Sequence, residues 1–170
     1  MPRIDVKKVE VFNSEEQKKL IEYLFNHKNN LNMGFLLALF TGIRIGELCA
    51  LKYFDLQLDT GILIINKTMQ RIINLDDSLE SKTKIIIDSP KSMNSIRSLP
   101  IPSILKPLIK TLSGERQNTY ILTGTEQFIE PRLLQYKFKD LLMKCELKDS
   151  NFHTLRHTFA TNCIQKRHRY

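Results

Sequence analysis

The spacing of apolar and polar positions changes period twice along this chain, from helical to β-like near residue 61 and back again after residue 101. In the first stretch, Ser14-Glu15-Glu16-Gln17 has the form of a capping box, with Ser14 as N-cap and Gln17 three residues on. It predicts a helix carrying Leu20, Ile21, Leu24 and Phe25 at helical spacing and ending near Asn29-Asn30. Residues 1–12 ahead of it read as a flexible, extended N-terminal segment. The run from Met33 to Phe40 is apolar on nearly every side, which predicts a buried helix. Thr41-Gly42 breaks that run, and a third helix is expected from about Arg44 to Leu51.

In the middle stretch, Gly61 to Ile65, Ile85 to Ile87 and Arg97 to Ile101 are short β-prone runs between polar turns. They predict one small antiparallel sheet with a long polar excursion from Asn74 to Ser81. Helical spacing resumes at Ser103 to Leu112, and a short strand is expected at Thr119 to Leu122. A helix follows at Pro131 to Cys145, with Pro131 suited to its first turn, and a last helix runs from about His153 to Gln165. No repeat or low-complexity linker interrupts the chain. The expected fold class is mixed α/β (α+β): a mainly helical domain over residues 13–165 with a small antiparallel sheet at one edge, then a basic tail at 166–170.

Composition narrows the partner. An apolar share of 42% and a charged share of 26% suit a globular domain with a real core, and 170 residues suffice to build one. Twenty-six Lys and Arg against eighteen Asp and Glu give a formal charge of +8 and a pI near 9.4. A surplus of that size fits a polyanion, because each cation beside a phosphate releases a condensed counterion. Cys49, Cys145 and Cys163 are far apart and odd in number, so reduced core thiols are expected. The start of the chain lacks the apolar run of a signal peptide, and no stretch has the length of a membrane span. The expectation is a cytoplasmic protein with no membrane partner.

Three segments are candidates for chemistry. In Thr41-Gly42-Ile43-Arg44-Ile45-Gly46-Glu47-Leu48, Gly42 permits a tight turn and sets Arg44 at the first turn of a helix, where its charge and the helix dipole both favour an anion. Glu47, three residues on, is within reach to orient the Arg44 guanidinium; an ordinary surface ion pair would have the same spacing. The second segment is the turn Asp88 to Asn94, where Lys91 offers a point charge or a proton, although turn tips commonly carry a solvated Lys. The third is His153-Thr154-Leu155-Arg156-His157-Thr158-Phe159-Ala160-Thr161. There His153, Arg156 and His157 share one helix face, with Leu155 and Phe159 on the opposite, apolar one. Thr154 stands where a zinc-protease helix needs Glu, so no metal site is expected, and the His–Arg–His face suits phosphate better.

In that order, and with Arg97-Ser98-Leu99-Pro100-Ile101-Pro102 closing the Lys turn, the three segments resemble the catalytic domain of a tyrosine recombinase of the phage integrase family, over about Val11 to Ile164. The resemblance implies the DNA breaking-rejoining type of catalytic core, acting on double-stranded DNA beside other recombinase protomers, with no cofactor and no metal. It further implies that a Tyr hydroxyl attacks a DNA phosphate, leaving a 3′-phosphotyrosyl link and a free 5′-hydroxyl. Arg44 and Arg156 match the two Arg that clamp the non-bridging oxygens; removing one such donor costs on the order of a hundred- to thousand-fold in rate. Lys91 matches the Lys that protonates the departing 5′ oxygen, with Lys82 and Lys84 as rivals. His153 matches the His that bonds the phosphate, and Glu47 and His157 are supporting positions.

The chain departs from the family pattern after Arg156. Tyr170 lies too near Arg156 to match the nucleophile and stands among basic residues at a terminus, so it is not expected to be one. The expectation is a catalytic domain incomplete at its C-terminus, which binds DNA, cannot cleave it unaided and self-associates through the surface that further helices would cover. A non-catalytic DNA-binding remnant or regulator is the alternative, and a type IB topoisomerase-like core is a more distant one.

Overall fold

A computed structural model of the chain describes residues 10–74, 82–88, 96–114 and 117–167. Its first helix, α1 (Ser14–Asn26), starts one residue earlier in cap register than expected. Asn13, not Ser14, is the N-cap: its side chain accepts the Glu16 N–H at 2.9 Å, and the Glu16 carboxylate accepts the Asn13 N–H at 2.8 Å. Gln17 instead donates to the Phe12 carbonyl at 2.7 Å. The helix stops at Asn26 because Asn29 caps the next one, accepting the Asn32 N–H at 2.9 Å. Helix α2 (Asn30–Thr41) therefore begins three residues before the expected Met33. Its residues from Asn32 to Leu39 are all buried, as an all-apolar helix must be.

Helix α2 is the centre of the domain. Helices α1 and α6 (His153–Arg167) pack on it, and α5 (Pro131–Lys144) closes the core through aromatic contacts. Phe35, Phe138 and Phe152 form a triangle with ring centroids 5.6 to 6.3 Å apart, the spacing at which tilted and edge-on rings attract. Phe12 adds a fourth ring 6.5 Å from Phe138. Phe12 also donates its N–H to Thr158 Oγ1 at 2.9 Å. The looseness expected of residues 1–12 thus does not extend to the end of that segment; residues 1–9 lie outside the described ones.

The middle of the chain forms two sheets where one was expected. Strands β1 (Leu56–Gln57), β2 (Ile62–Ile65) and β5 (Arg97–Pro100) make an antiparallel sheet in the order β1-β2-β5, with Ile65 opposite Arg97. Strands β3 (Thr68–Ile73) and β4 (Thr83–Asp88) make a separate antiparallel pair, Thr68 opposite Asp88. Strand β3 was not expected, because only Met69 among its residues is buried and the apolar alternation that marks a strand is absent. The strand expected at Thr119 to Leu122 is also replaced. Tyr120 makes one bridge to Lys52, and the chain then turns. Helix α4 (Lys106–Ser113) follows a 3₁₀ turn at Ser103–Leu105.

Helix α3 (Ile45–Ala50) lies on β3 with little room between them. A Cβ at Gly46 would stand 2.6 Å from the Met69 carbonyl oxygen, so glycine sets that approach. Cys49 and Cys145 are buried as expected, whereas Cys163, on the outer face of α6, is exposed. No described helix is long and apolar enough to cross a membrane.

Candidate functional site

The site begins at the turn between α2 and α3. Gly42 ends α2 in the left-handed conformation, φ 64°, and Phe159 of α6 lies where a Cβ would be, 2.5 Å from that position. Both features require glycine. The same turn accepts a short hydrogen bond from Arg156 Nη1 to the Gly42 carbonyl. Phe159 therefore flanks Arg156 against the turn; it is not on an opposite face of α6, as helical spacing suggested. Leu155 is buried on the core side, and His153 and His157 are exposed with ring centroids 6.5 Å apart.

Arg44 is the N-cap of α3 and not, as expected, a first-turn residue; its backbone is extended, φ −75° and ψ 152°. Its N–H donates to Glu47 Oε2 at 2.9 Å and its Nη1 to Glu47 Oε1 at 3.1 Å. Glu47 thus holds Arg44 by both its N–H and its guanidinium, which is more than an exposed i,i+3 pair. The Glu47 side chain is only 3% exposed, against 52% for Arg44. A third arginine joins them. Arg97 of β5 grips the same carboxylate with two parallel bonds, Nη1 to Oε1 at 2.8 Å and Nη2 to Oε2 at 2.9 Å.

Arg97 is the residue that sequence reasoning missed. It stands in a β-prone run and its partner is 50 residues away, so local spacing carries no trace of the pair.

Electrostatics follow from this packing. Burial pushes the Glu47 carboxyl up, but the bonds from Arg97 and Arg44 outweigh it and hold the group below its ordinary value. Arg97 is held above its ordinary value by its bonds to Glu47, against the effect of burial. Arg156 is depressed, first by burial and then by repulsion from Arg44 and Arg97, which Glu47 partly offsets. Three guanidiniums around one carboxylate leave a local surplus of positive charge. Among the described residues, the Arg44 guanidinium hydrogen-bonds only to Glu47 and the Arg156 guanidinium only to Gly42. The Arg44 and Arg156 guanidiniums therefore keep further N–H donors for an anion.

Lys91 and Tyr170 lie outside the described residues. Lys82, just before β4, takes no part in this arrangement; its carbonyl accepts the Asn74 N–H at 2.9 Å. Lys84 projects from β4 opposite Ile72. No group of three or more His, Cys, Asp or Glu among the described residues is arranged to hold a metal ion.

Known proteins share this arrangement of elements. The solved Tn1549 transposon integrase, in complex with transposon right end DNA, superposes over 97% of this chain and 56% of its own, with a TM-score of 0.72 and 19% identity. The XerA recombinase crystal structure does so over 97% and 53%, with a TM-score of 0.69 and 22% identity. The fold is that of a tyrosine recombinase catalytic domain. The model of the phage integrase family matches residues 10–168, and the chain belongs to that family. Among curated relatives, the tyrosine recombinase XerC-like protein of Caldanaerobacter subterraneus subsp. tengcongensis is 30% identical over 174 residues, which cover 93% of this chain and 44% of that one. The tyrosine recombinase XerA of Pyrococcus furiosus is 26% identical over 158 residues, 89% of this chain and 47% of that one. The chain spans about half the length of the curated relatives it matches.

Proposed function

We propose that this chain is the catalytic core of a site-specific DNA recombinase, in which Arg44 and Arg156 grip one backbone phosphate of double-stranded DNA. The observation that carries the reading is the convergence of two arginines from distant parts of the chain. Arg156 is bonded to the carbonyl of Gly42, two positions before Arg44, and the two guanidiniums are close enough to repel each other. Glu47 offsets that repulsion only in part, and with donors left unused on both guanidiniums a phosphate between them would complete the compensation.

In the reaction this reading assigns, a tyrosine hydroxyl attacks phosphorus, the bond to the 5′ oxygen breaks, and a 3′-phosphotyrosyl link forms. Arg44 and Arg156 hold the two non-bridging oxygens, where charge concentrates at the transition state. Lys91 gives its proton to the departing 5′ oxygen. His153, exposed at the start of α6, bonds the phosphate and takes part in moving the nucleophile's proton; His157 supports it from one turn further on. The attacking tyrosine is assigned to no residue of this chain. The partners are DNA and other recombinase protomers.

A salt titration of duplex binding tests the clamp. Wild type, Arg44→Ala and Arg156→Ala are compared at several salt concentrations, on specific and unrelated duplexes. Each substitution is expected to weaken binding on all sequences and to reduce the log–log salt slope by about 0.9 per lost phosphate contact. Unchanged affinity and slope in both variants would overturn the reading.

A further inference from the structure

We infer that Arg97 is a positioning residue for the phosphate clamp, acting on Arg44 through Glu47. The inference rests on the clamp reading above for its consequence in DNA binding, but its structural core is independent of DNA. A carboxylate offers about four acceptor directions. On Glu47 all four are filled: Arg97 takes one on each oxygen, and the Arg44 N–H and Nη1 take the others.

The division of labour follows from exposure. Arg44 is half exposed, and a single bond at 3.1 Å does not immobilise so long a side chain in water. Arg97 is better shielded, with a side chain 24% exposed, and its two parallel bonds fix the plane of the carboxylate. With that plane fixed, the acceptor direction left on Oε1 points the Arg44 guanidinium one way. Strand β5 supplies the fixed base, since Arg97 is paired in register with buried Ile65 of β2. The cap of α3 and the edge of the three-stranded sheet thus meet in one carboxylate.

Lysine at position 97 would keep the charge and lose the fork, so Arg97→Lys separates positioning from field strength. The first measurement is the ¹⁵N order parameter of the Arg44 Nε–H group in the free protein. Wild type is expected to show a restrained Arg44, and Arg97→Lys an Arg44 as mobile as an unpaired surface arginine. Arg97→Met serves as a second variant if the lysine chain folds poorly. The second measurement is duplex affinity in wild-type and Arg44→Ala backgrounds. Arg97→Lys is expected to weaken binding about five- to tenfold with Arg44 present and to change it little with Arg44 absent.

Each outcome decides something. A wild-type Arg44 that is already mobile, or one equally restrained in Arg97→Lys, overturns the positioning role. An equal loss of affinity in both backgrounds also overturns it, because Arg97 would then contact DNA itself. If Arg44→Ala leaves DNA binding untouched, the clamp reading falls, while the order parameters still decide whether Arg97 holds Arg44.

Discussion

Arg156 donates from Nη1 to the carbonyl oxygen of Gly42, joining residues 114 apart in the chain. This bond sets the last helix on the turn that presents Arg44, so two arginines with no local relationship in sequence share one locus. Phe159, one turn beyond Arg156 on the same flank of α6, seats on Gly42 and fixes the approach. The turn is therefore constrained from both sides, by a hydrogen bond on its carbonyl and by a ring against its Cα.

Substitution at that turn is expected to affect stability and site together. In Gly42→Ala the left-handed backbone costs about 1 kcal/mol or more for a residue with a Cβ. The added methyl also meets the Phe159 ring at 2.5 Å, where something must shift. A combined loss of roughly 2–3 kcal/mol in urea unfolding is expected. Phe159→Ala in the same chain should return only the steric part. A Gly42→Ala protein as stable as wild type would show that the turn is not held as described.

How much of this was legible beforehand depended on sequence distance. The Arg44–Glu47 pair was visible because three residues separate its members, and the buried character of α2 was visible because its apolar run leaves no polar face. The cap of α1 was misplaced by one residue because Asn13 and Ser14 are both good caps and each has a suitable partner three positions on, Glu16 or Gln17. Strand β3 escaped notice because Thr68-Met69-Gln70-Arg71 buries one side chain, so its pairing with β4 is decided by the backbone ladder and by contact with α3. Arg97 was invisible as a site residue, since nothing local links a strand arginine to a glutamate on another element.

Glu47 makes the site pH-dependent in a definite direction. Its folded carboxyl lies below the ordinary value of 4.5: burial raises it, and the bonds from Arg97 and Arg44 more than reverse that. A depressed carboxyl stabilises the fold fully above its unfolded value, and that contribution is lost as pH falls through the folded value. Removing the charge leaves two arginines facing a buried neutral group. Glu47→Gln is therefore expected to cost about 3 kcal/mol at neutral pH, the low end for a buried pair because the arginines are partly exposed. The gap between wild type and variant in urea unfolding should shrink progressively as pH falls below 4.5 and through the lowered folded value. A gap independent of pH would assign the loss to packing and not to charge.

Thr158 tests whether the start of the described chain belongs to the core. Its buried hydroxyl accepts the Phe12 N–H at 2.9 Å and donates to the Thr154 carbonyl at 2.7 Å. Thr158→Val keeps the shape and leaves the Phe12 N–H without its acceptor, at an expected cost of about 1–3 kcal/mol. Phe12 would be the first amide to lose protection in hydrogen exchange, and its edge-on contact with Phe138 would loosen with it. Retained protection at Phe12 in the variant would mean that another group satisfies it.

The three thiols should separate cleanly by reactivity. Burial pushes the Cys49 thiol far up, with the nearby Glu130 charge adding to the effect, and burial also raises Cys145. Both are shielded, at 1% and 7% exposure, and the thiolate is the reactive species. Cys163 is exposed on α6 and has no such protection. A disulfide reagent at neutral pH is therefore expected to modify one thiol quickly and the other two only as the protein unfolds. Because Cys49 lies in α3 between Glu47 and Leu51, its labelling rate reports opening of the element that carries the site. Raising the urea concentration should accelerate Cys49 labelling in step with global unfolding. Labelling of Cys49 well below the unfolding transition would show instead that α3 opens on its own, contrary to its close seating on β3 at Gly46.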